Sequence, residues 1–383
     1  MTQGESNVSD RTVLITGGAG FIARATTPRL LARGWHVVAL DSLDPQVHGD
    51  EPPDLHPAVE FHRGDVLDPN TLGPLLARAD AVLHLAAQTG VGQSMYQVVG
   101  YTRANVLGTA AVLEYLANAP HRVRRLVVAS SRALYGEGAY QCPTCGPVSP
   151  PVRGRAQLEA GEWEVRCPAC RAEVAPVPTA ESKTQAPGSV YAITKRDQEE
   201  LCHCVAAAYG IESVALRYFN VYGPGQPPSN PYTGVIPALA SRVLSGQPAE
   251  VYEDGAPLRD FVHVEDVAQA NVLALEAEGA AGLTANIGLG EPISIYQAAV
   301  AVTEALHGGE APRISGRYRV GDIRHCYADL THARERLGYR PAVSFVAGVR
   351  GMAGWLREQF REDLSARAAE ELAARGLSGR SSA

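Results

Sequence analysis

The sequence predicts an α/β fold in which a doubly wound parallel sheet is covered by helices on both faces. Short apolar runs alternate with helix-like segments along the first part of the chain, which is typical of βαβ units. A glycine-rich turn joins the first apolar run to the first helix. From about Tyr222 the pattern loosens into Pro- and Gly-rich connections with short helices, which predicts a second, smaller α/β domain.

The strands are expected where apolar runs are bounded by turn residues, because a strand buried on both faces reads as a continuous apolar run. The predicted strands are residues 11–16, 35–40, 59–62, 81–86, 125–130 and 213–218. The main helices are one that ends near residue 33 and those at residues 101–117, 190–209, 235–245 and 295–306.

Domain boundaries follow from these patterns. Residues 1–11 are a polar leader, and residues 12–221 form the sheet domain, with an insertion at 137–180. Residues 222–362 form a substrate domain, some segments of which are allowed to return to the sheet domain. Residues 363–383, rich in Ala, Arg and Ser, are predicted to be a mobile tail.

Composition narrows the class of protein. Among 383 residues, 45% are hydrophobic and 20% are charged, as in ordinary globular proteins. The formal net charge of −7 argues against a nucleic-acid-binding surface. The leader has no apolar run and no segment resembles a membrane span, so we expect a cytoplasmic protein without a membrane partner.

The glycine-rich turn predicts a dinucleotide site in a Rossmann-like domain. Gly17 and Gly20 allow a tight bend and close backbone approach, and the following helix offers unpaired N–H groups to a pyrophosphate. Ala23 supplies the small third residue. Asp41, at the end of the second strand, suits a ribose with two free hydroxyls and repels a 2′-phosphate, so the pattern favours NAD over NADP.

Tyr191 and Lys195 lie four residues apart in a predicted helix and therefore project from one face. A neighbouring ammonium favours the phenolate and lowers the pKa of the phenol, which makes Tyr191 a candidate general base toward an alcohol. The same pentapeptide also arises in surface turns of helices, so a catalytic role must be supported by the rest of the sequence.

That context resembles the extended short-chain dehydrogenase/reductase family of nucleotide-sugar epimerases and dehydratases over residues 12–360. The segments that carry the resemblance are residues 16–22, 64–66, 84–88, 105–109, 130–136, the Tyr191/Lys195 pair and residues 217–223. Where the family usually continues its glycine turn with Gly-Ser-His, this chain has Ala23-Arg24-Ala25.

The resemblance implies which residues bind NAD. It places Asp65 and Val66 beside the adenine and Asn105 as a structural residue next to the cofactor. The full set of implied cofactor-binding residues is Gly17, Gly20, Phe21, Ile22, Asp41, Asp65, Val66, Leu85, Ala86, Ala87, Asn105, Tyr191 and Lys195.

The resemblance also implies a catalytic triad of Ser131, Tyr191 and Lys195. Tyr191 would take the proton of a sugar hydroxyl while hydride passes to NAD. Lys195 would hold the nicotinamide ribose and lower the pKa of Tyr191. Ser131 would hydrogen-bond the reacting hydroxyl and steady its proton.

The residues after Ser131 distinguish members of the family. The 4,6-dehydratases carry an Asp–Glu pair there, and the decarboxylases carry an acid two positions after the serine. This chain has Arg132 and Ala133, so the acid needed for elimination is missing. The reaction that remains is transient oxidation to a 4-keto sugar, followed by return of the hydride to the other face. The sequence therefore predicts an epimerase.

Four residues are implied to bind the nucleotide-sugar substrate, together with Ser131. Asn220 resembles the family asparagine that contacts the sugar diphosphate. Arg259, Arg319 and Asp322 lie in the two arginine-bearing segments that clamp the diphosphate and nucleoside. A guanidinium can bind phosphate oxygens with two parallel N–H groups.

The insertion carries two Cys-x-x-Cys pairs, Cys142/Cys145 and Cys167/Cys170. Two such pairs match a tetrahedral zinc site of the zinc-ribbon type. Because four thiolates would fill all positions, we interpret the zinc as structural, with a redox switch or an empty site as alternatives. Packing as a lid or in a dimer is expected for this lobe.

The inserted Cys pairs, residues 230–234 and residues 316–326 together resemble the dTDP-L-rhamnose 4-epimerases, which give dTDP-6-deoxy-L-talose. A UDP-hexose or UDP-uronate 4-epimerase is the alternative enzyme. A catalytically silent NAD-binding scaffold is the alternative outside enzymes. The resemblance also implies a homodimer formed through the helices at residues 101–117 and 190–209.

Overall fold

A computed structural model describes residues 11–49, 54–226, 234–360 and 365–382. The predicted leader, up to residue 10, and most of the 230–234 segment lie outside these ranges. The strands are β1 (Thr12–Thr16), β2 (His36–Asp41), β3 (Glu60–Arg63), β4 (Ala81–His84), β5 (Arg125–Ser131), β6 (Ala139–Cys142), β7 (Gly146–Val148), β8 (Ala175–Val177), β9 (Glu212–Tyr218), β10 (Asn220–Tyr222), β11 (Glu250–Val251), β12 (Leu258–Arg259), β13 (Phe261–His263), β14 (Leu283–Ile287), β15 (Ile293–Ser294), β16 (Arg313–Ile314), β17 (Arg317–Arg319), β18 (His325–Cys326) and β19 (Ser378–Arg380).

The helices are α1 (Phe21–Ala32), α2 (Pro45–His48), α3 (Pro69–Arg78), α4 (Val91–Ser94), α5 (Val98–Tyr101), α6 (Gly108–Asn118), α7 (Arg155–Glu159), α8 (Val190–Tyr209), α9 (Val235–Leu244), α10 (Val264–Glu276), α11 (Ile295–Ala305), α12 (Thr331–Leu337), α13 (Phe345–Gln359) and α14 (Ser365–Ala374). The single helix predicted over 101–117 is interrupted by a π-helical turn at Thr102–Leu107. Within the described ranges, no helix is long and apolar enough to span a membrane.

Seven strands form the central sheet in the order β14-β9-β5-β4-β1-β2-β3, and every neighbouring pair is parallel. Parallel neighbours need crossover connections, which α1, α3, α6 and α8 supply. The sheet runs outward in two directions from β1 and β4, so the predicted doubly wound fold is confirmed.

Alternate side chains of the sheet enter two different cores, as the period of two in a strand requires. Val13 and Ile15 of β1 point into a core shared with α1 and α10. Leu14, between them, points into a second core shared with α3, α6 and α8. Both cores are built mainly from buried aliphatic residues, with several aromatic side chains in the first, and together they fix the carboxyl ends of β1, β4 and β5 at one edge.

The chain crosses between the two halves more than once. After residue 222, α10 packs on α1, and β14 pairs with β9 at the edge of the central sheet. The second half has its own core, formed by α9, α11 and α13 around Phe261 and Phe345. Among the described residues, its strands other than β14 form short two- and three-stranded sheets.

The insertion forms a small lobe in which β6 pairs antiparallel with β7 and β8. Arg153 of the lobe is buried and makes two hydrogen bonds to Glu253, at 2.7 and 2.9 Å. Arg324, which is fully buried, bonds Glu164 of the lobe as well as Glu253 and Asp254. The lobe is therefore attached to the second domain by buried charges.

The end of the chain differs from the mobile tail predicted at residues 363–383. Residues 365–374 form α14, and β19 pairs antiparallel with β17. An Ala-, Arg- and Ser-rich composition signals little apolar burial, but it carries no information about a strand partner some sixty residues earlier in the chain.

Candidate functional site

The glycine turn after β1 has the geometry of a phosphate-binding turn. Gly17 has φ of +69°, and a Cβ there would lie 2.8 Å from the backbone nitrogen of Ala86, so only glycine fits. Gly20 caps α1 without a side-chain hydrogen bond, and no acidic residue lies in the first turn, where Phe21 and Ile22 follow. The helix N-terminus is thus open to an anion.

Asp41 lies beside this turn at the end of β2. Its carboxylate is buried and accepts hydrogen bonds from the backbone N–H groups of Ala19 and Leu43, at 3.0 and 2.9 Å. Burial by itself would raise the pKa of Asp41, but the bonds from His48, Leu43 and Ala19 outweigh it and hold the pKa below its ordinary value. The carboxylate is therefore charged at neutral pH, as ribose binding requires.

The loop after β4 forms the other wall of the turn. Leu85, Ala86 and Ala87 are half-buried, and the Leu85 N–H donates to the Thr16 carbonyl at 3.0 Å. Asn105 is fully buried and links this loop to α8, because it accepts from the Gln88 N–H and donates to Thr194.

The two residues predicted to lie beside the adenine follow β3. Val66 is buried, and a Cβ on Gly108 of α6 would lie 3.0 Å from its side chain. Asp65 is exposed, and its carboxylate accepts a hydrogen bond from the Leu67 N–H at 2.9 Å.

Ser131 and Tyr191 meet where β5 ends and α8 begins. Ser131 caps the turn that follows β5, and its hydroxyl accepts from the Ala133 N–H at 3.1 Å. Tyr191 packs edge-on against Tyr101, with ring centroids 6.5 Å apart. Burial raises the pKa of Tyr191, while the Ser131 hydroxyl and the Arg132 guanidinium lower it.

Lys195 is held by contacts within the protein. Its amine donates to the Ala129 carbonyl at 2.7 Å and to the Gln198 side chain at 2.8 Å. Gln198 donates in turn to Thr109, which also contacts the buried, uncharged ring of His84. Burial lowers the pKa of Lys195 to about 7. The Arg132 guanidinium is a neighbouring cation that lowers the pKa of Tyr191.

Two of the predicted substrate residues, Arg259 and Arg319, act on the carboxylate of a third, Asp322. Asp322 accepts from Arg259 at 3.1 Å, and Arg132, Arg153, Arg259 and Arg319 together lower its pKa against the effect of burial. Most donors of Arg259 are used internally, since they bond the carbonyls of Leu258, Ile323 and Arg324. This arginine shapes the segment, whereas Arg319 is exposed.

Asn220 and Arg319 present groups that the protein itself leaves available. The side-chain oxygen of Asn220 is buried and has no hydrogen-bond partner among the described residues. The guanidinium of Arg319 lies 5.1 Å from the ring centre of Tyr252. A buried acceptor without a partner and an exposed guanidinium are each suited to contact a polar ligand, and the guanidinium suits an anionic one.

The four cysteines of the insertion come together as the spacing predicts. Their sulfur atoms all lie within 4.8 Å of one another, and those of Cys142 and Cys170 are 3.5 Å apart. Each pair is followed by a residue with positive φ, so the two turns match. Tetrahedral Zn–S bonds of about 2.3 Å place sulfur atoms about 3.8 Å apart, and the cluster therefore fits one zinc ion.

Sequence reasoning missed three functional contacts. Gln198, one turn beyond Lys195 on α8, could have been found from its helical spacing. Tyr252 carried no local signal, because it meets Arg319 only through the fold. Arg24, which replaces the usual serine of the glycine turn, donates to the Gly225 carbonyl at 2.8 Å and ties α1 to the loop after β10.

The chain matches the NAD dependent epimerase/dehydratase family over residues 13–154 and 170–288. A dTDP-L-rhamnose 4-epimerase of Burkholderia thailandensis is 36% identical over 360 residues, which cover 93% of this chain and 97% of that protein. The stretch between the two matched regions lies inside the insertion.

Solved structures agree with this match. The UDP-glucose 4-epimerase of Thermotoga maritima with UDP-glucose is 28% identical, with a TM-score of 0.74 and coverage of 91% of this chain and 99% of that one. The UDP-glucuronic acid 4-epimerase of Bacillus cereus with UDP-glucuronic acid and NAD is 26% identical, with a TM-score of 0.73, and covers 91% and 100%.

The burial of Lys195 predicts a pH-dependent stability. Between pH 7 and its ordinary pKa of 10.5, the unfolded chain holds the lysine proton and the folded chain releases it. Because the unfolded state then binds more protons, the wild type should gain about 2 kcal/mol of unfolding free energy over Lys195→Met between pH 7 and pH 9. Urea denaturation of the cofactor-free proteins at pH 7, 8 and 9 measures this difference.

Arg196→Met provides the matched control. Arg196 is the next residue of α8 and lies partly exposed. A guanidinium group is not expected to titrate between pH 7 and pH 9. The substitution should shift stability by the same amount at each pH. A difference between the wild type and Lys195→Met that is constant from pH 7 to 9 would contradict the lowered pKa.

Proposed function

The chain belongs to the NAD dependent epimerase/dehydratase family and is an NAD-dependent nucleotide-sugar epimerase, and from this premise we propose that it interconverts dTDP-L-rhamnose and dTDP-6-deoxy-L-talose. The observation that carries the proposal is the near-full-length similarity to a dTDP-L-rhamnose 4-epimerase. The Cys insertion and the Arg132/Ala133 pair after Ser131 support it.

The chain's own residues supply the proton chemistry. NAD, when bound, provides a reversible acceptor for the hydride of the sugar C4. The Tyr191 hydroxyl, as phenolate, takes the proton of the C4 hydroxyl during oxidation and returns it during reduction. The Ser131 hydroxyl holds the oxygen at C4, and the Arg132 charge favours the phenolate. Rotation of the 4-keto sugar between the two steps lets the hydride return to its opposite face, which inverts C4.

The NAD contacts that we propose are those implied by the sequence. The turn at Gly17 and Gly20 with the N-terminus of α1 would hold the pyrophosphate, and Asp41 the adenosine ribose. Asp65, which is exposed, and the backbone at Leu85 would contact the rest of the adenosine and pyrophosphate. Lys195, held by Gln198 and the Ala129 carbonyl, would donate to a ribose hydroxyl.

A UDP-hexose or UDP-uronate 4-epimerase is the second candidate. Structural neighbours contain UDP-glucose and UDP-glucuronic acid, at 28% and 26% identity. The same triad would serve both substrate classes, since the chemistry takes place at C4 in each. Only the nucleotide and the sugar substituents differ between them.

The function is tested by incubating the purified protein, without added NAD, with dTDP-L-rhamnose and separately with UDP-galactose. NAD is regenerated in each cycle, so bound cofactor suffices. We expect NMR to show formation of the C4 epimer from dTDP-L-rhamnose alone. Turnover of UDP-galactose alone would favour the second candidate. Turnover of neither would leave an NAD-binding scaffold.

Tyr191→Phe is the control for the chemistry in this assay. It should lower turnover at least about 100-fold, the range seen when a general base is removed, while the bound NAD is kept. Tyr209→Phe, at the exposed other end of α8, should leave turnover unchanged. Full activity of Tyr191→Phe would exclude the tyrosine as the base.

We propose that Cys142, Cys145, Cys167 and Cys170 hold one structural zinc ion. Four thiolates complete a tetrahedral shell, so no position is left for a substrate. Two of the cysteines are buried and two are exposed, so the ion would lie at the surface of the lobe. Its binding would stabilise a segment whose own apolar core is small.

Elemental analysis of protein purified without chelators should find about one zinc ion per chain, as for other four-cysteine sites. Cys142→Ser should lose most of the metal and lower the melting temperature. Cys204→Ser, an exposed cysteine on α8 outside the cluster, should keep both. Zinc well below one per chain in the unchelated wild type would refute the site.

We infer that two copies of the chain form a homodimer through the helices around α8. Exposed apolar side chains concentrate there, with Val99 80%, Leu107 49% and Ile193 40% exposed. These residues lie on α5, the π-helical turn and α8, which pack against one another. Apolar side chains gathered on adjoining helices are typical of an interface.

Leu107→Glu should therefore convert the dimer into a monomer, because it would bury a carboxylate between two copies. Analytical ultracentrifugation measures the change. Val346→Glu is the control, since Val346 is 46% exposed on α13, in the other domain. A wild type that sediments as a monomer, or a Leu107→Glu variant that sediments as a dimer, would contradict this interface.

A further inference from the structure

The C-terminal segment spans from the sheet domain to the substrate domain. On the sheet domain, the Tyr96 hydroxyl donates to Glu371 of α14 at 3.1 Å, and the Arg375 guanidinium lies 4.1 Å from the centre of the Tyr96 ring. Leu372 packs on α4, since a Cβ at Gly92 would lie 3.2 Å from it. The C-terminal segment is therefore attached to the sheet domain at α4 and the residues that follow it.

On the substrate domain, the segment supplies a strand. β19 pairs antiparallel with β17, with Ser378 opposite Arg319 and Gly379 opposite Tyr318. Flanking bonds extend the pairing, from Val320 N–H to the Leu377 carbonyl and from Ser381 N–H to the Gly316 carbonyl, both at 2.9 Å. In the described part of the chain, β19 is the only strand that pairs with β17.

The pairing determines which way the side chains of β17 point. Successive residues of a strand face opposite sides. Tyr318 is buried beneath Gly379, where a Cβ would lie 2.4 Å from its hydroxyl oxygen. Arg317 and Arg319 face the other side, and their guanidinium groups lie 5.6 and 5.1 Å from the ring centre of Tyr252.

The C-terminal segment also contacts the inserted lobe. The Ser382 N–H and hydroxyl donate to the Glu159 carbonyl at 3.0 and 3.1 Å, and Arg155 bonds the Gly376 carbonyl. Tyr318 contacts Glu159 as well, at 3.5 Å. β17 is therefore held between the tail and the lobe.

We propose that β19 is a positioning element for nucleotide binding: it seats β17 so that Arg317 and Arg319, with Tyr252, form a site for the nucleoside diphosphate of the substrate. Two guanidinium groups beside an aromatic ring suit a ligand that joins phosphates to a planar base. The proposal rests on the proposed nucleotide-sugar function, and it adds the tail to the binding machinery.

Gly379→Ala tests the proposal, because its Cβ would displace β19 from Tyr318. We expect weaker binding of both dTDP and UDP in calorimetry and a raised KM for the sugar nucleotide, each by about tenfold, the loss typical of one charge-assisted contact. The kcat and the NAD content should stay near the wild-type values. Gly354→Ala, on the exposed face of α13 with no atom within 4 Å of the added carbon, should change nothing.

Two further variants keep the outcome decisive. A chain that ends at Gly376 removes β19 altogether and should bind dTDP and UDP as weakly as Gly379→Ala does, without loss of NAD. Adding Gly379→Ala to a variant that carries both Arg317→Ala and Arg319→Ala should weaken binding little further, because the tail acts through those two arginines. Additive losses of nucleotide affinity would mean that the tail stabilises the fold without positioning Arg317 and Arg319.

The outcomes separate this proposal from the function on which it rests. A wild type that binds neither dTDP nor UDP and turns over neither sugar would overturn the nucleotide-sugar function of this chain. A wild type that binds a nucleotide, together with a Gly379→Ala variant and a truncated chain that bind it equally well, would overturn only the role of β19.

Discussion

The catalytic geometry depends on one buried ion pair. Glu199 of α8 accepts two hydrogen bonds from Arg217 of β9, at 2.5 and 3.0 Å, and a third from Ser130 of β5. The pair joins α8, the helix that carries Tyr191, to β9, and the bond from Ser130 joins the same carboxylate to β5, the strand that carries Ser131. Breaking a buried pair by removing one partner typically costs about 3–5 kcal/mol, because the other charge is left uncompensated. The distance between base and serine is thus set by a contact that takes no part in the chemistry.

A second set of buried charges does the same for substrate binding. Arg324 is fully buried among Glu164, Glu253 and Asp254, so the lobe and the substrate domain share its charge. The Asp322 segment lies directly before it and carries the arginines toward the cleft. The insertion is therefore more than a surface addition, since its removal would leave Arg324 with fewer partners and free the segment that Arg259 shapes.

Sequence reasoning located what is encoded locally. The turn at Gly17, the acid at Asp41 and the four-residue spacing of Tyr191 and Lys195 depend on neighbours in the chain, and each could be read from it. Contacts between distant segments could not. The pairing of β19 with β17 joins residues about sixty positions apart, and neither strand has a distinctive composition. The internal hydrogen bonds of Arg259 were missed for the same reason, because an arginine looks alike whether its acceptors are phosphates or carbonyls.

Arg132 shows how one position can decide among reactions on a shared fold. Elimination needs a side chain that gives up and accepts a proton, and a guanidinium in a protein does neither. Burial leaves the pKa of Tyr191 raised, and at the same position the positive charge of Arg132 opposes this shift and favours the phenolate. Lys195 donates to the Ala129 carbonyl and to Gln198, so it is not the only cation that stabilises the Tyr191 phenolate. Arg132 therefore stands where elimination would need an acid, and it also supplies a positive charge that favours the Tyr191 phenolate in a reversible C4 oxidation.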